Sequence, residues 1–110
     1  MAKRSTDLLK GTLDLLILKT LELEPRHGVA IADRLAQITQ GTFLVKAGSL
    51  FPALHRLEAE GYVQGEWGET PEGRRARVYT LTGAGRKQLG IEKRNWVKIT
   101  VAMGQVLESE

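Results

Sequence analysis

Three arginines, Arg74, Arg75 and Arg77, fall within four positions with no acid among them. A guanidinium is planar and permanently charged, which suits it to phosphate oxygens and to a narrow minor groove. The acids of the same stretch, Glu66, Glu69 and Glu72, all precede the arginines, so its charges are sorted rather than mixed. Upstream, Leu50, Leu54 and Leu57 recur at helical spacing, and between them stand Ser49, Pro52, Ala53, His55 and Arg56, which are small or polar. A helix with such an outer face can approach base edges closely. On it, Arg56 is a candidate for a bidentate contact to guanine and His55 for a base or phosphate contact. The plainer alternatives are a solvated hairpin tip for the arginines and an ordinary surface histidine for His55.

Other chemistries find little support. The chain has no cysteine, which excludes disulfides, thiolate metal sites and cysteine nucleophiles. His27 and His55 each lack a second ligand at metal spacing, so no metal site is expected. Gly83-Ala84-Gly85 opens a helix after a strand but lacks the full dinucleotide fingerprint and a P-loop lysine. There is no nucleophile with a plausible base, so neither an enzyme nor a cofactor is expected. The net charge of +3, from 16 cations and 13 anions, permits a polyanionic partner without requiring one.

The elements that must carry these residues follow from periodicity. A chain of 110 residues supports one core. A first helix is predicted over 5–24, ended by Pro25 and apolar around so much of its circumference (Leu8, Leu9, Leu13, Leu15, Leu16, Ile17, Leu18, Leu21, Leu23) that two sides must be covered. The second side is assigned to another subunit. A second helix is predicted over 28–39 and a third over 47–60, with Pro52 near its first turn and Gly61 closing it. Strands at 62–67 and 75–81 make a hairpin, in which Trp67 reads as a packing residue. Thr82 caps a last helix over 83–107, whose seam of Leu89, Glu92, Trp96, Ile99, Met103 and Val106 keeps heptad spacing and is expected to find no partner within the chain. The fold class is therefore mainly α with a small two-stranded β wing. A winged helix-turn-helix occupies residues 1–82, and a long dimerisation helix follows over 83–110. In this order of elements the third helix enters a major groove and the hairpin touches backbone or minor groove. Leu9 and Leu13 are expected to join Leu89, Trp96, Ile99, Met103 and Val106 at the dimer interface. Trp96 reads as an interface anchor and also as the stacking surface for a planar aromatic effector. The N-terminal apolar run is broken by Lys10, Asp14 and Lys19, so no signal or membrane segment is expected and a cytoplasmic address is.

AGSLFPALHRLEAEGYV and GRRARVYTLTGAGRKQL together resemble the PadR family of bacterial transcriptional regulators. Gly48, Ser49, Leu50, Pro52, Leu54, Leu57 and Glu58 match one of its motifs, and Tyr79, Leu81, Thr82 and Gly85 match the other. His27-Gly28 resembles the opening of that family's second helix. Phe51 stands where the family usually has tyrosine, which removes a hydroxyl while leaving a ring. The single helix after the wing is similar to the family's short-tailed branch, in which that helix pairs across a two-fold axis. The resemblance implies a homodimeric repressor on a double-stranded DNA operator, released by a small-molecule effector. With the order of elements, DNA contact is expected from Ser49, Phe51, Pro52, His55, Arg56, Arg74, Arg75 and Arg77. The competing expectation is a winged helix used only for protein contacts, which steep salt dependence of duplex binding would exclude.

Overall fold

The computed structural model describes residues 10–110. Its elements run α1 (Lys10–Thr20), β1 (Arg26–His27), α2 (Gly28–Ile38), α3 (Ala47–Ala59), β2 (Val63–Glu69), β3 (Arg75–Leu81) and α4 (Gly83–Leu107). Leu9 lies outside the described residues.

Helix α1 ends at Thr20, four residues before the predicted end. The Thr20 hydroxyl donates to the Ile17 carbonyl, and the amides of Leu21 and Glu22 reach back only three residues, which tightens and closes the turn. Leu21 is buried and Leu23 is 90% exposed, so the chain leaves the helix once its last core residue is placed. Lys19 meets Glu22 here and holds that carboxyl below its ordinary range, by a hydrogen bond first and by charge second.

The expected two-sided burial of α1 holds, but the chain itself provides the second cover. Leu13, Leu15, Ile17, Leu18 and Leu21 are all buried within one protomer, because α1 packs against α2 and α3 on one side and α4 on the other. Leu13 and Leu89 therefore belong to the protomer's own core and not to a free interface, at 6% and 2% exposure. The seam of α4 likewise finds a neighbour for its first turns. Beyond them Trp96, Ile99, Met103 and Val106 are exposed.

The sheet has three strands in the order β1-β3-β2, all antiparallel, one more than the sequence suggested. Strand β1 is only two residues long, too short for alternation to be visible, and pairs Arg26 with Tyr79 and His27 with Val78. It ties the start of α2 to the wing. The Arg26 Nε–H also donates to the Thr20 carbonyl at 2.8 Å, which closes the α1–β1 turn.

Two junctions fix the direction of α4. At the end of α3, Gly61 has φ +82°, and the amides of Gly61 and Tyr62 donate to Glu58 and Leu57. This left-handed closure reverses the chain into β2. Thr82 then serves both ends of the wing: its hydroxyl donates to the Gly61 carbonyl at 2.6 Å and accepts the Gly85 amide at 3.0 Å. Gly85 is buried with the Tyr62 carbonyl and Leu81 against its α-carbon, leaving no room for a β-carbon. Because the obstructing atom is backbone, Gly85→Ala must push α4 off the wing. We expect a destabilisation of about 1–3 kcal/mol, read as a lower urea midpoint with unchanged slope.

Candidate nucleic-acid interface

Helix α3 is oriented by a buried row of Leu50, Ala53, Leu54 and Leu57. At 100° per residue, the opposite strip holds Gly48, Pro52, His55 and Ala59, all exposed, with exposed Ser49 beside it. Ala53, expected on this outer face, is 1% exposed and lies in the core, since its position falls next to Leu57 on the helical wheel, on the buried side. The outer strip carries no lysine, arginine, aspartate or glutamate. Lys46, exposed at the N-cap, adds a cation that the sequence reading passed over.

Both flanks of α3 are held by arginine–carboxylate pairs. On one flank Arg56 Nη2 meets Asp14 of α1 at 2.5 Å, with the two side chains 28% and 21% exposed. A base contact by Arg56 would first have to break that pair. On the other flank Glu58 Oε2 accepts from Arg77 Nη2 at 2.8 Å and from the Gly65 amide at 3.1 Å. Arg77 Nη2 also donates to the Gly65 carbonyl at 2.8 Å. Of the three wing arginines, Arg77 is thus bound to α3 and β2.

Arg74 and Arg75 differ from it. Both are exposed, and neither is in an ion pair among the described residues. The tip that carries them is a closed turn, not a loose loop. The Thr70 amide donates to the Arg74 carbonyl at 2.8 Å, the Arg74 amide donates to the Thr70 hydroxyl at 3.1 Å, and Gly73 takes φ +85°. His27 Nε2–H donates to the Glu69 carbonyl at 3.1 Å, so β1 braces the same tip.

Phe51 is 38% exposed and its ring lies against the α-carbon of Gly28, where a β-carbon would collide with it. The ring therefore joins α3 to the start of α2. Between these helices and the wing lies a cleft of about 390 Å³ lined by His27, Phe51, His55, Trp67, Arg77 and Tyr79. Trp67, read as a packing residue, is 59% exposed. The signal that finds it is strand alternation: Val63, Gly65 and Trp67 share the face turned toward α3, and only the first reaches the core.

On α4, Trp96 lines a second groove of about 280 Å³ with Gly11, Thr12 and Leu15 of α1 and with Glu92, Asn95 and Ile99 of its own helix. Among the described residues no cluster of histidines and carboxylates is suited to a metal, and no helix is long and apolar enough to cross a membrane.

Comparison with known proteins places this arrangement. The model of the PadR-like transcriptional regulator family matches residues 17–91. A transcriptional regulator of Mycobacterium tuberculosis is 40% identical over 68 residues, which span 62% of this chain and 60% of that protein. The solved structure of a transcriptional regulator from Clostridium thermocellum superposes with a TM-score of 0.81 at 25% identity, over 91% of this chain and 97% of that one. A PadR-like transcriptional regulator from Bacillus cereus gives 0.79 at 27% identity, over 96% of this chain and 100% of the other. A three-helix unit with a hairpin wing and a long final helix is common to sequence and fold alike, and the chain belongs to the PadR-like family of transcriptional regulators, which bind DNA.

Proposed function

We propose that this chain is a sequence-specific repressor that grips a two-fold operator in double-stranded DNA as a homodimer. The observation that carries the reading is the contrast on one face of the molecule. A nearly uncharged strip of α3 stands beside a wing whose Arg74 and Arg75 have no acidic partner among the described residues. Small residues such as Ser49 and Pro52 permit close approach to base edges, and His55 supplies a donor there, while the free arginines supply the phosphate or minor-groove contact. Phe51 contributes its ring as packing beside the strip.

Dimerisation is supported by α4. Trp96, Ile99, Met103, Val106 and Leu107 are 42–77% exposed on a helix of 25 residues, an apolar stripe that water alone does not favour. Half-sites about one helical turn apart, roughly 34 Å, suit such a pair. Repression follows if the bound pair occludes a promoter. A planar aromatic effector stacking on Trp96 would act by favouring a dimer geometry whose two heads no longer match the half-sites.

Two measurements test the reading. Affinity for a duplex carrying the DNA upstream of the coding sequence should fall steeply with salt. Arg74→Ala with Arg75→Ala should weaken binding on every sequence and reduce the log–log slope by about one for each phosphate no longer neutralised. A flat salt response would instead mark a module for protein contacts. In sedimentation the chain should run as a dimer at micromolar concentration, and Trp96→Asp with Met103→Asp should give a folded monomer whose operator affinity is about two orders of magnitude weaker. A wild-type monomer would refute the two-fold arrangement.

A further inference from the structure

Trp67 is large, apolar and mostly exposed on a hairpin that does not need it for its core. From the core outward, the inner face of the wing carries the cross-strand pairs Val63–Leu81, Gly65–Tyr79, Trp67–Arg77 and Glu69–Arg75. These residues form a relay of contacts that starts on α3. Glu58 holds the Arg77 guanidinium, whose central carbon lies 5.7 Å from the centre of the Trp67 ring. The Arg75 guanidinium lies 4.4 Å from the same centre. Glu69, directly across from Arg75, is not ion-paired with it, so this cation rests on the ring and not on the carboxylate opposite.

We propose that Trp67 is a positioning residue for DNA recognition. It holds Arg75 at a fixed place relative to α3, making Arg75 the directed contact of the wing and leaving Arg74 a diffuse charge. The N–H donors of a guanidinium lie in its plane, so stacking its face on the indole leaves the donating edges free for phosphate or a groove wall. An arginine gives up much of its rotamer freedom when it binds, and a ring that has already restricted it reduces that cost. Because Arg77 is fixed by Glu58 and Gly65, the ring is in turn placed by the recognition helix. This inference rests on the reading of the wing as a DNA contact.

The test uses the full chain and two duplexes, one from upstream of the coding sequence and one of random sequence, with affinities measured by anisotropy. Trp67→Ala should weaken binding by about three- to tenfold, while Trp67→Phe, which keeps a π face, should recover most of that affinity. Combining Trp67→Ala with Arg75→Ala should weaken binding no more than Arg75→Ala alone, whereas combining it with Arg74→Ala should be additive. The thermal midpoint of Trp67→Ala should stay near that of the wild type, and Trp67→Phe keeps the test valid if it does not. Wild-type affinity in Trp67→Ala, or additivity with Arg75→Ala, overturns the inference, while weakened binding in Arg75→Ala leaves the wing contact standing. Undiminished binding in Arg75→Ala overturns this inference, and undiminished binding in Arg74→Ala with Arg75→Ala overturns the wing contact itself.

Discussion

The geometry of the face formed by α3 and the wing depends on one carboxylate. Glu58, on the last turn of α3, accepts from the Gly65 amide of β2 and from Arg77 of β3, so helix and both long wing strands meet at a single oxygen. A hairpin of this size is marginal by itself. Its inner face reaches the core only through Val63, Tyr79 and Leu81, and the outer half is held by this polar junction. Charge-assisted hydrogen bonds are worth about 1.5–3 kcal/mol each, enough to set the angle of the wing without a larger apolar contact. Gly65 is part of the same constraint. The Arg77 guanidinium lies over its α-carbon, so any β-carbon there would displace the guanidinium from Glu58.

This junction divides the cations into two kinds. Arg56 and Arg77, both near α3, are neutralised by Asp14 and Glu58, while Arg74, Arg75 and Lys46 stand outside ion pairs among the described residues. The strip between the two clamped flanks is left small and nearly uncharged. In the proposed reading this division assigns attraction to phosphates to the wing tip and the N-cap of α3, and discrimination among bases to the short side chains of the strip. A strip bearing Arg56 free in solution would bind more tightly and discriminate with a longer, more mobile reader.

The sequence and the structure agree where local periodicity decides. Helices α2, α3 and α4 begin and end within one residue of expectation, because Gly61 and Thr82 are strong local stop and start signals. Agreement ends where the deciding partner is distant in the chain. Arg56 lies 42 residues from Asp14, and Arg77 lies 19 from Glu58. No spacing rule reports such a pair, so two arginines that look available in the sequence are engaged in the fold. The two-residue β1 carries no periodicity at all and is a strand only because β3 lies beside it. Helix α1 shows the same limit differently. Its all-round apolar surface correctly demands two covers, but composition cannot say whether α4 or a second chain supplies the other one, and here α4 does.

That arrangement gives α1 a place between the two functional ends of the protomer. It packs against α3 and also against α4, and it carries both Asp14, which holds Arg56, and Leu15, which lines the groove beside Trp96. Close-packed helices have low compressibility, so α1 is the element that holds α3 and α4 in place relative to one another. The Asp14–Arg56 pair adds a polar tie between α1 and α3 to their apolar packing. Glu58 and Arg77 continue these ties from α3 to the wing. In the proposed reading α1 is thus the contiguous link between the exposed stripe of α4 and the face formed by α3 and the wing.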